Sequence, residues 1–189
     1  NIHHIIKKMM KNQKSKYCKY NDKIFLTKEK NISFAYSEVT NYTKSRKDKI
    51  TFASIFHVIF NGSIFNKDEI LGEINIKDKF ISDNQLIIEG YKKFGKKFFS
   101  KINGPFVCIF FDYIQDNIFI IRDRYGTNLL FYYFDKKYFF IFSEIKALKN
   151  INLVNLKPNK EKILLYIKKN YRYVYGDENT FFKNINLFP

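Results

Sequence analysis

The residues best suited by type to do chemistry are an adjacent pair, Asn61-Gly62, in the stretch HVIFNGSIFN from His57 to Asn66. A side-chain amide and the N–H of a residue without Cβ are both donors that could be aimed at a substrate carbonyl. Asn-Gly between two apolar stretches is also the strongest short-range signal for a β-hairpin, since both residues tolerate the positive φ of a type I′ turn. The pair alone permits both readings. Two cysteines, Cys18 and Cys108, make no disulfide framework, and neither has metal-type spacing with the three histidines. Cys108 lies in an apolar strand and reads as core, whereas Cys18 reads as an ordinary thiol at a strand edge. His3 and His4 are neighbours on a helical pattern and point in different directions, so they cannot share a metal ion.

The chain has 189 residues, 46% apolar and 19% aromatic, enough for one domain with a substantial core. Seven glycines, three prolines and no tryptophan leave no collagen-like, linker-like or low-complexity signature. A net charge of +16 raises the question of nucleic acid. The lysines answer it, because they are scattered in short runs such as Lys7-Lys8, Lys92-Lys93 and Lys96-Lys97. No Arg-rich cluster or aromatic binding motif accompanies them, which argues against a specific nucleic-acid face. Charged or amide residues interrupt every apolar run before it reaches bilayer length, and no signal peptide is visible. The expectation is a soluble, cytoplasmic protein in a reducing compartment, with no membrane partner.

These residues must be positioned by short elements. Ile2, Ile5, Ile6, Met9 and Met10 fall at helical spacing. Short strands follow, in KIFLT, NISFAYSEV and ITFASIFHVIF, with a polar loop from Thr40 to Lys49. Ser82 or Asp83 caps a helix that carries Leu86, Ile87, Gly90, Tyr91 and Phe94 on one face and ends near Gly95. PFVCIFFD, NIFIIRD, LLFYYFD and YFFIFSE then read as a four-stranded antiparallel meander. Several strands are apolar on both faces and need cover from helices near residues 2–13, 83–94, 144–149 and 160–169, or from a second sheet. The fold class is therefore α+β with layered sheets.

Four segments, in order, resemble the glutamine-hydrolysing domain of asparagine synthetases and related class II glutamine amidotransferases. FNGSIFNKDEI, from Phe60 to Ile70, is similar to the family's N-G-E-I-Y-N segment. ISDNQLIIEGYKKFGKKFFSKINGPFVCIFFD resembles its S/T-D-x-E-V-I helix with the following L-x-G-x-F-A-F strand. IRDRYGTNLLFYY, from Ile120 to Tyr133, is similar to A-R-D-R-x-G-x-x-P-L-Y-Y. FSEIKALK, from Phe142 to Lys149, matches F-x-S-E-I-K-A-L nearly letter for letter. The likeness runs from about Thr51 to Lys149 and continues more loosely through TFFKNINLFP at the end.

The resemblance implies a four-layer αββα sandwich of the Ntn-hydrolase type, made of two antiparallel sheets covered by helices. It divides the chain into a glutaminase-like domain over residues 1–150, expected to lack its natural N-terminal strand, and a tail over 151–189 that leads to a synthetase domain. The implied chemistry is hydrolysis of glutamine by an N-terminal cysteine through a thioester, releasing ammonia for ATP-dependent amide formation. A free α-amino group can serve as the base. Asn61 would give a side-chain N–H and Gly62 a backbone N–H to the oxyanion, and Asp83 would bind the α-amino group of glutamine. No cofactor is implied in this domain, ATP and Mg being expected only in the synthetase domain. The partners implied are glutamine and that C-terminal domain, and a homodimer is left open.

Three departures bear on activity. Residue one is Asn1, whose amide is no nucleophile; a first strand with its cysteine is expected upstream, and this chain alone is expected to be inactive. Within ISFAYSEV, Tyr36 stands near the place of an arginine that grips the substrate carboxylate, and a tyrosine cannot make a bidentate charged pair. Arg46, in the loop that follows, is a candidate replacement. Ser63 replaces the acid of N-G-E, which leaves Asp83 to hold the substrate amine alone. The alternative is a catalytically degenerate domain of the same fold that serves as a scaffold for the synthetase half. Arg122, Asp123, Arg124 and Gly126 read as a structural network, and Ser143 and Glu144 as caps of the helix EIKALK.

Overall fold

A computed structural model of the protein describes residues 2–16, 20–27, 32–39, 50–52, 55–169 and 178–189. In chain order its elements are α1 (Ile2–Gln13), β1 (Tyr20–Thr27), β2 (Ile32–Val39), β3 (Ile50–Phe52), β4 (Phe56–Gly62), α2 (Lys67–Ile74), α3 (Asp83–Phe94), β5 (Phe106–Asp112), β6 (Asn117–Arg122), β7 (Phe131–Phe134), β8 (Phe139–Phe142), α4 (Lys160–Lys169) and β9 (Ile185–Leu187). Short 3₁₀ turns cover Gly95–Lys101 and Ile145–Leu148. The class is α+β, and all strand pairs are antiparallel. Among the described residues no helix is long and apolar enough to cross a membrane. Cys18, the loop over residues 40–49 and Arg46 lie outside the described residues.

The chain divides into two units. Residues 43–128 form one and residues 1–42 with 129–189 form the other. The first holds the sheet β3-β4-β5-β6. Alternation along β4 and β5 turns Phe56, Val58, Phe60, Phe106, Cys108 and Phe110 to one face, where all are buried. Helix α3 covers that face with Leu86, Ile87 and Tyr91, and Phe98 and Phe99 from the 3₁₀ turn complete the core. Ser82 does cap α3, its hydroxyl accepting the Gln85 N–H at 3.2 Å. Cys108 is fully buried, as its strand predicts. Val107 and Ile109, on the other face, are only half-buried.

The other unit holds the hairpin β1-β2 and the sheet β8-β7-β9. Its core joins Met9 of α1 to Phe131, Tyr133, Phe142, Leu148 and Ile185. Asn12 ties α1 to the 3₁₀ turn by donating its amide to Ala147 O at 3.0 Å.

Three expectations are corrected. The four strands after residue 104 are not one meander: β5 and β6 belong to the first sheet, while β7 pairs with β8 on one side and β9 on the other in a second sheet. The break is the turn after Arg122, where Asp123 accepts from the Thr127 N–H and Gly126 adopts φ 61°. The segment 144–149 makes only a short 3₁₀ turn, and Glu144 at its N-cap position makes no side-chain cap bond. Helix α2 was not expected, because the apolar pair Ile64-Phe65 just before it reads as the returning strand of a hairpin.

Candidate functional site

Asn61 and Gly62 are the last two residues of β4, paired in register with Val107 and Phe106 of β5. They are not the tip of a hairpin. The following backbone is held by non-local bonds, Ser63 N–H to Pro105 O at 3.0 Å and Phe65 N–H to Asn103 O at 2.7 Å. A local I′ turn would instead have closed on its own neighbours. Asn66 fixes the same loop from the other side, accepting the Asn103 N–H at 2.9 Å and donating to Lys101 O at 2.9 Å. The segment 63–66 is thus fastened along 101–105, and it delivers the chain into α2.

Both residues of the pair are exposed, directly after buried Phe60. Gly62 has φ 151°, and an added Cβ would stand 2.1 Å from Pro105 O. Only glycine fits there. The result is an exposed strand end whose backbone is fixed by its partner strand and by the 101–105 segment.

Asp83 opens α3 and is 6% exposed. Lys67, the first residue of α2, places its Nζ 3.4 Å from Asp83 Oδ1 and also donates to Ile81 O. The next residue, Asn84, donates from Nδ2 to Thr51 Oγ1 at 3.0 Å, which ties the start of α3 to β3. Lys67 escapes sequence reasoning because the pair is non-local and α2 itself is short. The helix start NKDE, with Asp68 and Glu69 in the first turn, signals α2 itself but not the partner of its lysine.

Asp123 supports the end of β5 that faces Gly62 in register. Its Oδ1 accepts the Phe106 N–H at 3.2 Å, and its Oδ2 accepts the Thr127 N–H at 3.0 Å and hydroxyl at 2.9 Å. Burial alone would raise this carboxyl, but the bonds from Thr127, Phe106 and Tyr125 outweigh it and hold the group below the usual carboxylate range. The guanidinium of Arg122 lies where a Cβ on Gly126 would be, 1.6 Å from one of its nitrogens. These residues shape the turn, as the sequence predicts for them. Burial pushes the Cys108 thiol well above its ordinary range, so this cysteine is an inert core residue.

Ser63 is exposed beside Gly62. Tyr36 lies in β2 opposite Lys23, in the other unit, and its side chain is outside the described residues. Among the described residues no group of three or more His, Cys, Asp or Glu side chains is placed to hold a metal ion.

A family model described as "Glutamine amidotransferase domain" matches residues 21–189. "Putative asparagine synthetase [glutamine-hydrolyzing] 2" of Methanocaldococcus jannaschii is 31% identical over 123 residues, 64% of this chain and 24% of that protein. "Asparagine synthetase [glutamine-hydrolyzing] 2" of Bacillus subtilis is 35% identical over 92 residues, 48% of this chain and 12% of that protein. "Amidase chry2" of Gibberella zeae is 28% identical over 93 residues, 48% of this chain and 14% of that protein. The matches thus span about a quarter or less of each of these relatives.

Proposed function

Because the chain belongs to the glutamine amidotransferase domain family, we propose that it is the glutamine-hydrolysing part of an asparagine-synthetase-like protein and supplies ammonia for ATP-dependent amide formation. A thiolate attacks the side-chain carbonyl of glutamine, ammonia leaves, and water cleaves the thioester to glutamate. The reading requires a nucleophilic cysteine thiol, and ATP with Mg serves the synthetase part. Asn61 and Gly62 donate to the oxyanion, and Asp83 receives the α-ammonium group.

The observation that carries this reading is the geometry of the Asn61-Gly62 pair. It stands exposed at a strand end whose backbone is pinned to 101–105 and has no space for a Cβ. Preorganised donors of that kind are worth about 3–4 kcal/mol each in acyl transfer.

The test is ammonia release from glutamine by the full-length natural protein. Asn61→Ala is expected to lower kcat by ~10²–10³. A variant that hydrolyses glutamine at the parental rate would remove Asn61 from the oxyanion site.

One observation favours a second role, that of a non-catalytic scaffold for the synthetase half. The ammonium of Lys67 already lies against Asp83. An intact fold with no release of ammonia from glutamine, while the full-length protein still forms amides from free ammonia, would establish that role.

A further inference from the structure

Asp83 and the carbonyl of Ile81 together form a cradle for an ammonium ion, and the chain fills it with its own Lys67. The carboxylate is buried, with a side chain 8% exposed, whereas the lysine side chain is 23% exposed. Lys67 approaches from the first turn of α2, and Nζ reaches both acceptors. Two oxygens of different kinds on one ammonium satisfy much of its donor capacity away from water. A primary ammonium from solution would meet the same two acceptors.

We infer that Lys67 is an internal ligand of this cradle, and that its departure sets whether a zwitterionic amino acid can place its α-ammonium on Asp83. The inference deepens the glutamine reading of the site and rests on it only for the identity of the incoming amine. The cradle itself stands on the two contacts of Lys67. An attached lysine competes at high effective concentration, so an external amine must bind against it. The apparent affinity for an amino acid is then lowered by the fraction of time Lys67 is in place. Lys67 is thus a specificity-determining residue of this ammonium site.

The experiment compares thermal unfolding of the 189-residue chain and its variants in ethylammonium chloride and in sodium chloride at equal ionic strength. Lys67→Ala is expected to gain about 3–6 °C at an ethylammonium concentration ~10 times its dissociation constant, with no gain in the parent chain or in Lys67→Ala/Asp83→Asn. An equal response of parent and Lys67→Ala, or a gain that survives Asp83→Asn, would overturn the inference. Glutamine and its analogue lacking the α-amino group separate the two claims. A variant stabilised by ethylammonium but by neither amide keeps the cradle and refutes glutamine as its guest. One stabilised by glutamine but not by the analogue supports both. Should Lys67→Ala fail to fold, acetic anhydride labelling of the parent chain decides. Lys67 is expected to acetylate several-fold more slowly than exposed Lys77 and Lys79, and equal rates would refute its engagement.

Discussion

Gly62 and Pro105 approach so closely that a methyl group on the glycine would stand 2.1 Å from the proline carbonyl oxygen and 2.6 Å from the Cα of Phe106. The obstacles are backbone atoms held in a strand pair, so they cannot turn aside. Gly62→Ala therefore combines a φ of 151° with a backbone clash, and we expect it to destabilise the domain by about 2–5 kcal/mol. Urea unfolding of the variant checks this. A loss below about 1 kcal/mol would mean that the strand end relaxes, and that Gly62 is not fixed well enough to preorganise a donor.

Tyr91 and Asp112 form a buried pair, the phenol donating to Oδ2 at 2.9 Å, while Oδ1 accepts from Ile114 N–H at 2.9 Å and Gln115 N–H at 3.0 Å. Burial, reinforced by the bond to Asp112, pushes the phenol from 10.0 up to about 12. A raised native value means that the stabilising contribution is complete below the unfolded pKa and is lost as pH rises through the native one. Stability should therefore fall between pH 10 and about 12 in the parent chain. Tyr91→Phe is expected to lose about 1.5–3 kcal/mol at neutral pH and to show a shallower alkaline decline. Denaturant unfolding across that pH range distinguishes the two curves; parallel curves would show that Tyr91 is not the titrating group.

Asp123 has the opposite sign. Its carboxyl lies below the ordinary 3.8, so its contribution is present above that value and is lost as pH falls through the depressed native one. Asp123→Asn places an amide where the Thr127 N–H and hydroxyl both need an acceptor, and should cost about 2–4 kcal/mol at neutral pH. Below pH 3.8 the gap between variant and parent is expected to narrow. Acid unfolding followed by circular dichroism checks it, and a constant gap would assign the effect to shape and not to charge.

Local signals made α3 legible, since Ser82 and the spacing of Leu86, Ile87, Gly90 and Tyr91 all lie within one helix. The same kind of local signal misled at Asn61-Gly62, because the partners of the next residues are Pro105 and Asn103, some forty positions away. The apolar run Ile64-Phe65 then reads as a returning strand, which hides α2. Likewise β6 and β7 are adjacent in sequence, yet β7 takes β9 as its second neighbour, a choice made by residues 185–187. Asn61, Gly62 and Asp83 enter the proposed site through the motif they share with the family. The lysine at Asp83 was not legible, because 16 positions of chain separate the pair and no spacing rule joins two helix starts.

Two helical glycines separate propensity from packing. Gly72 in α2 has nothing within 4 Å of an added Cβ, whereas one on Gly90 in α3 would meet the Phe98 ring at 2.1 Å. Alanine gains about 1 kcal/mol over glycine in a helix interior, and at Gly72 no contact opposes that gain. Gly72→Ala should stabilise by about 0.5–1 kcal/mol. At Gly90 the ring is fully buried and cannot swing out. Overpacking of this kind costs about 1–3 kcal/mol and often more when the obstacle is rigid, so Gly90→Ala should be destabilising despite the better propensity. Equilibrium unfolding of the two variants side by side tests the opposite signs. Stabilisation by both would show that Phe98 can shift, and that the aromatic core under α3 is looser than its burial implies.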